Sequence, residues 1–192
     1  MNCIYFVRHA KPDFSVHEDL VRPLTNEGLK SSFEICEFLR FKDISQIYSS
    51  PYKRAIDTIK PLSEELKIEI EIIDDFRERK ISNCWIENFD EFTKKQWDNF
   101  YYKMVDGESL KEVQSRNINA LYKILKENSN ENIVIGTHGT ALSTIINYFD
   151  KDFTYCAFKE IKNIMPFITY MEFEGYELKK LDYIIKLKSI NI

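Results

Sequence analysis

The chain predicts an α/β fold: a three-layer sandwich in which a mostly parallel central sheet carries helices on both faces. Three observations predict it. Short apolar runs alternate with segments of helical period through most of the 192 residues, the pattern of crossover connections between parallel strands. Ile133-Val134-Ile135-Gly136-Thr137 is apolar without alternation, as a central strand covered on both faces would be. Near the end, residues 167–173 and 176–185 flank Glu174-Gly175, a β-hairpin signal. No repeat, low-complexity tract or linker breaks the chain, so residues 1–192 are expected to form one domain, slightly above the usual size, with a short helical and aromatic insertion at about 80–107.

In order along the chain, Ile4-Tyr5-Phe6-Val7 reads as a buried strand that ends abruptly in Arg8-His9. In open α/β sheets ligands bind beyond the carboxyl ends of the strands. This strand would deliver a cation and an imidazole to such a place. A polar loop, 10–23, follows, with Lys11, Pro12, Asp13, His17 and Arg22. Thr25 caps a helix whose first turn holds Asn26 and Glu27, the latter suited to the helix dipole. Leu29, Phe33, Cys36 and Leu39 follow at helical spacing, and the helix ends near Lys42. A second strand, 44–49, runs into Ser50-Pro51, which restarts a helix with Ser as N-cap and Pro at its first position. Arg54 lies in the first turn, a cation at a helix N-terminus that itself favours anions. This helix runs to Leu66, and Pro61 should kink or interrupt it.

Residues 68–73 alternate Ile and Glu, as in a half-exposed strand near an edge. A charged loop, 74–82, carries Arg77, Glu78, Arg79 and Lys80. The spacings of Trp85, Phe89 and Phe92, and of Trp97, Phe100, Tyr101 and Met104, predict two short helices. Most of these aromatics are expected to pack against the domain; the segment could also serve as a cap over a substrate pocket. Gly107-Glu108-Ser109 precedes a long amphipathic helix with Leu110, Val113, Ala120, Leu121, Ile124 and Leu125. A turn at 128–132 leads into the central strand, and His138-Gly139 opens a helix over 140–149.

Composition narrows the function classes. Hydrophobic content of 44% and charged content of 30% are those of a soluble globular protein. The net charge of −4 offers no general attraction for nucleic acid, so an anion site must be built locally from a few cations. Cys3, Cys36, Cys84 and Cys156 are far apart, which argues for reduced thiols and against a disulfide framework or zinc site. No secretory leader or membrane-length apolar stretch is seen, and a cytoplasmic location is the default expectation.

Three strand ends therefore carry Arg8-His9, Arg54 and His138. If the strands are adjacent, one pocket receives two guanidiniums and two imidazoles. Arginine suits phosphate because its planar fork donates parallel hydrogen bonds and stays charged. A metal is the weaker reading of the two histidines. No Asp or Glu adjoins them at a ligand spacing, and the arginines would repel a cation.

At this point the chain resembles the histidine phosphatase superfamily, which includes cofactor-dependent phosphoglycerate mutases and many small phosphatases. Phe6-Val7-Arg8-His9 resembles its Arg-His-Gly strand end. Pro23-Leu24-Thr25 with Gly28 resembles its Pro-Leu-Thr helix opening. Tyr48-Ser49-Ser50-Pro51 with Arg54-Ala55 resembles its second block, Phe76 with Glu78 its acid loop, and Gly136-Thr137-His138-Gly139 its closing block. Gly107-Glu108-Ser109 matches a further family element.

The resemblance implies a nucleophilic His9 that becomes phosphohistidine. It implies a phosphate pocket of Arg8, His9, Arg54, His138 and Gly139, and Glu78 as proton donor to the leaving group. No metal and no other cofactor is expected, because every proposed role is filled by a side chain. The expected partner is a small phosphorylated substrate, without nucleic acid or membrane, and oligomeric state stays open. Departures are Ala10 for the usual Gly, tolerable in extended backbone, Ser82 for a common Gly, Lys11 for a small or polar residue, and Ser15 for the Asn of mutase-like members. His17 fits no family role and reads as a surface residue. The expected activity is phosphomonoester hydrolysis, of the histidine acid phosphatase type. A phosphoglycerate mutase is the alternative, disfavoured by the short aromatic insertion. A catalytically silent phosphate binder is disfavoured because all five catalytic positions are filled.

Overall fold

The computed structural model describes residues 1–83 and 87–184. The chain forms β1 (Asn2–Arg8), α1 (Asn26–Leu39), β2 (Ile44–Ser49), α2 (Lys53–Leu66) and β3 (Ile70–Ile72), then a 3₁₀ turn (Asp74–Phe76). It continues through α3 (Phe89–Asp98), α4 (Leu110–Glu127), β4 (Asn132–Thr137), α5 (Gly139–Phe149) and α6 (Tyr155–Ile161), and closes with the hairpin of β5 (Phe167–Glu174) and β6 (Glu177–Ile184). The strands lie in the order β3-β2-β4-β1-β5-β6. The first four are parallel, while β5 runs antiparallel to β1 and β6 antiparallel to β5. The apolar 133–137 run is central, as its lack of alternation predicts.

Successive side chains of a strand point to opposite faces, and β1 uses both. Ile4 and Phe6 enter a core built with α4, α5 and α6, which also takes in Ile133, Ile135 and Phe173. Tyr5 and Val7 enter a second core with Ile35, Leu39, Ile59 and Leu62 of α1 and α2. The sheet is thus covered on both sides, and the carboxyl ends of the adjacent parallel strands β2, β4 and β1 meet at one end of it.

Several local expectations need correction. The buried face of α1 is Gly28, Ser32, Ile35, Cys36 and Leu39, while Leu29 and Phe33 are 44% and 63% exposed. Gly28 turns inward because a Cβ there would fall 2.3 Å from the Lys11 carbonyl oxygen, and Ile35, Cys36 and Leu39 carry the apolar contact with α2 and the sheet. Helix α2 begins at Lys53, not at Pro51, and no side chain caps it; the Ser50 hydroxyl is used elsewhere. It also continues through Pro61. A proline inside a helix costs about 3 kcal/mol, whereas burying Ile59 and Leu62 on the sheet returns roughly 1.5–3 kcal/mol each.

The edge strand is shorter than 68–73, spanning Ile70–Ile72. Among its described residues the aromatic segment contains one helix, α3, with 99–104 irregular beyond it; Trp85 lies outside the described residues. Trp97 packs with Phe100, Phe153 and Phe158, so the insertion is anchored to α6, an element the periodicity did not predict.

Candidate active site

His9 follows the last residue of β1, and its N–H donates to the Thr137 carbonyl at the end of β4 (3.0 Å). The Ala10 N–H donates to Thr58 Oγ1 (2.9 Å), and that hydroxyl donates to the Arg54 carbonyl (2.7 Å). These bonds lock the end of β1 to the start of α2. Among the described non-glycine residues, left-handed backbone occurs at Asp43, Lys67 and Asn130. Ala10 therefore stands in ordinary backbone, where a glycine is not required.

The structure brings His9 and His138 together with ring centroids 5.2 Å apart. Nδ1 of His9 lies 2.8 Å from the Ala10 carbonyl. A carbonyl can only accept, so Nδ1 carries the hydrogen and Nε2 keeps a free lone pair. His138 is fully buried. Its Nε2 lies 2.6 Å from Ser50 Oγ, which already accepts from the Tyr52 N–H (3.2 Å). That arrangement favours donation of the Ser50 hydroxyl hydrogen to Nε2, leaving the ring hydrogen of His138 on Nδ1, a buried atom without a partner. Burial, then Arg54 and other neighbouring cations, hold both imidazoles well below their ordinary pKa. Both are neutral at pH 7, the form in which nitrogen is a nucleophile.

Arg8 reaches the far side of this cluster. Nη1 donates to the carbonyls of Ile161 and Ile164 (2.9 and 3.0 Å) and Nη2 to that of Lys162 (2.8 Å). A cation thus satisfies the orphan carbonyls at the C-terminal end of α6. Nε is buried without a partner, so Nε–H and the second Nη2 hydrogen form an unused parallel fork. Burial lowers its pKa to about 10, with Glu78 opposing that shift, and it stays charged at neutral pH.

Arg54, 3% exposed, donates through Nη1 to the Asp19 carbonyl (2.6 Å) and pairs with the Asp19 carboxylate (3.0 Å). Its guanidinium also lies over the Tyr52 ring at 4.9 Å, and that ring packs edge-on against His138 at 5.0 Å. Asp19 bridges to Arg22 as well (2.7 Å).

Glu78 completes the group. His138 is the N-cap residue of α5 but makes no side-chain cap bond. The Glu78 carboxylate takes that place, accepting from the N–H groups of Thr140 (2.9 Å) and Ala141 (3.1 Å), and from that of Arg79 (2.8 Å). A helix N-terminus suits an anion, and here it draws the carboxylate to the residues that follow His138. Gly139 lies against Arg8; a Cβ there would fall 3.1 Å from its Cζ, Nε and Nη2.

The residues singled out in the sequence do not all belong to this group. Lys11 Nζ pairs with Glu27 at 2.6 Å on the surface, and Ser15 Oγ donates to Asp13 (2.7 Å). His17 is exposed and offers its carbonyl to Arg22. Ser50, Tyr52 and Asp19 contact the site yet carry no family role in the sequence reading. Ser50 was legible there as a helix cap, a use its hydroxyl gives up. Among the described residues, no three His, Cys, Asp or Glu side chains are grouped to hold a metal ion, and no helix is long and apolar enough to cross a membrane.

Comparison with known proteins bears on the family and the fold. The sequence pattern of the histidine phosphatase superfamily (branch 1) matches residues 4–181. A Bacillus subtilis (strain 168) protein, named as the uncharacterized phosphatase PhoE, is 29% identical over 150 residues, 76% of each chain. YhfR from Bacillus stearothermophilus shares the fold with a TM-score of 0.76 at 22% identity, over 93% of this chain and 94% of its own. A phosphoserine phosphatase variant from Entamoeba histolytica, solved with phosphoserine, has a TM-score of 0.76 at 17% identity and 98% of each chain. A mycobacterial glucosyl-3-phosphoglycerate phosphatase has 0.73 at 15% identity, over 97% of this chain and 99% of its own. With a match that runs from β1 into the closing hairpin, the chain belongs to the histidine phosphatase superfamily, branch 1.

Proposed function

We propose that this protein hydrolyses small phosphomonoesters through a phosphohistidine formed on His9. The observation that carries the reading is the state of His9: neutral, with Nδ1–H spent on the Ala10 carbonyl and Nε2 unprotonated, between Arg8, Arg54 and His138. In the first step the Nε2 lone pair forms a bond to phosphorus and the phosphorus–ester oxygen bond breaks. The leaving oxygen keeps that electron pair and takes a proton from Glu78, which enters this step as the carboxylic acid and leaves it as the carboxylate. In the second step Glu78 accepts a proton from water, the water oxygen attacks phosphorus, and the phosphorus–nitrogen bond breaks to return neutral His9. Splitting one displacement into two is what a nucleophilic side chain contributes.

The free fork of Arg8, the Arg54 guanidinium and the Nδ1–H of His138 are the donors for the phosphoryl oxygens. Phosphoryl transfer is mostly positioning and charge stabilisation, and losing one such donor costs roughly 10²–10³ in rate. Structural neighbours are named for phosphoserine and glucosyl-3-phosphoglycerate, both small phosphorylated metabolites, the substrate class proposed for this chain. In this reading residues 1–192 form one domain, and the segment 80–107 caps its substrate pocket. The unpaired Cys3, Cys36 and Cys156 agree with a cytoplasmic setting.

Hydrolysis of p-nitrophenyl phosphate by wild type and His9→Ala, with chelator present, tests the reading. Turnover by wild type that falls by about 10⁴-fold or more in the variant is expected. Equal turnover by both would overturn it. A requirement for added bisphosphoglycerate would favour the mutase alternative.

A further inference from the structure

Gly107-Glu108-Ser109 and Arg116 take no part in the chemistry above, yet they hold the loop that carries Glu78. Arg116, on α4, uses every N–H of its guanidinium. Nε donates to one oxygen of Glu108 (2.8 Å) and Nη2 to the other (3.0 Å). Nη1 donates to the carbonyls of Asp75 (2.6 Å) and Arg77 (2.8 Å), and Nη2 also to that of Glu78 (3.3 Å). Thr137 Oγ1 takes the remaining carbonyl of this stretch, that of Phe76 (3.2 Å).

Glu108 closes the other end of the loop. It accepts from the Lys80 N–H (2.9 Å) and from Arg77 (3.4 Å), and its own N–H donates to the Lys80 carbonyl (2.7 Å). Burial pushes its carboxyl up, but Arg116, the Lys80 N–H and Arg77 outweigh this and hold it below the usual carboxylate range. A Cβ on Gly107 would fall 1.9 Å from the Ile81 carbonyl oxygen; glycine lets the two backbones meet. Ser109 and Glu112 form a reciprocal cap at the start of α4, which fixes the helix that presents Arg116.

One ion pair therefore sets the backbone of residues 75–80 from both ends, and Glu78 lies between. We propose that Arg116, held by Glu108, is a positioning residue for the proton donor: it fixes the loop so that the Glu78 carboxyl meets the leaving oxygen. Five fixed donors in a planar fork are needed for this, and a lysine, with three donors on one atom, cannot replace them. The inference rests on the reading of Glu78 as the acid.

Its signature is dependence on the leaving group, because a good leaving group needs no proton and a poor one does. The test compares kcat/KM for p-nitrophenyl phosphate and for an alkyl phosphate such as glycerol phosphate. The variants are Glu78→Gln, Arg116→Met, Arg116→Lys, Glu108→Gln and the double variant Glu78→Gln/Arg116→Met. Arg116→Met should lose about 10–100-fold on the alkyl ester and no more than about threefold on the aryl ester, as Glu78→Gln does. The double variant should be no worse than Glu78→Gln alone, since both act through one group.

A loss in Arg116→Met that is equal for both esters, or that multiplies with that of Glu78→Gln, would overturn the positioning role while leaving the acid in place. Equal loss for both esters in Glu78→Gln itself would overturn the acid assignment, and this inference with it. If Arg116→Met does not fold, Arg116→Lys and Glu108→Gln decide by the same comparison. A smaller loss confined to the alkyl ester supports the role, and an ester-independent change overturns it.

Discussion

At Gly139 the absence of a side chain has a use. The resemblance implies this residue as part of the phosphate pocket, and the structure sets it flat against the Arg8 guanidinium. A methyl group there would crowd the guanidinium at 3.1 Å and shift it slightly on the carbonyls of residues 161, 162 and 164. Gly139→Ala is therefore expected to lower kcat/KM about 10²-fold, the cost of one misplaced donor, with little change in melting temperature. Full activity in the variant would show that Arg8 does not need this exact setting. Arg8, His9, Arg54 and His138 were legible from sequence because each stands at the last residue of a strand, directly after one, or at the start of the helix behind it. Asp19 and Arg116 were not. Each acts through a partner far away in the chain, and a charged residue on a loop or helix reads as a solvated one until its partners are known.

The elements that matter most are helix termini. The N-terminus of α5 receives the Glu78 carboxylate, and the C-terminal carbonyls of α6 receive Arg8, so two helix ends bind an anion and a cation through main-chain groups. Ser50 shows how a local rule yields to the site. Its spacing before Pro51 fits a helix cap, but the hydroxyl serves His138 and α2 starts at Lys53. Ser50→Ala should leave His138 without a partner, costing about 1–3 kcal/mol of stability and roughly tenfold or more in kcat/KM; denaturant melts and steady-state rates check both. Unchanged rates would mean that the tautomer of His138 is set by something else. The order of strands and helices was legible because burial on two faces imposes a pattern on the sequence. The end of the aromatic segment and α6 were not, since a few aromatics packing on one another, as Trp97 and Phe158 do, need no period.

Across the whole molecule the two buried imidazoles link stability to pH. Their folded values lie well below the ordinary 6.5. Near that pH the unfolded chain binds protons that the folded chain does not, so stability is fully present above about pH 6.5 and falls as pH drops toward the folded values. Each imidazole contributes a slope of up to about 1.4 kcal/mol per pH unit. Denaturant melts between pH 7 and pH 5 should show a smaller loss in His9→Asn than in wild type; identical slopes would contradict the buried neutral state. In the proposed mechanism the same neutrality leaves His9 Nε2 its lone pair for phosphorus, beside Arg8 and Arg54 in a chain of net charge −4. The most direct test is rapid quenching of the enzyme with a radiolabelled aryl phosphate, followed by peptide mapping. The account predicts an acid-labile, base-stable phosphoryl group on the peptide bearing His9. Turnover with no phosphoenzyme, or with the label on another residue, would contradict it.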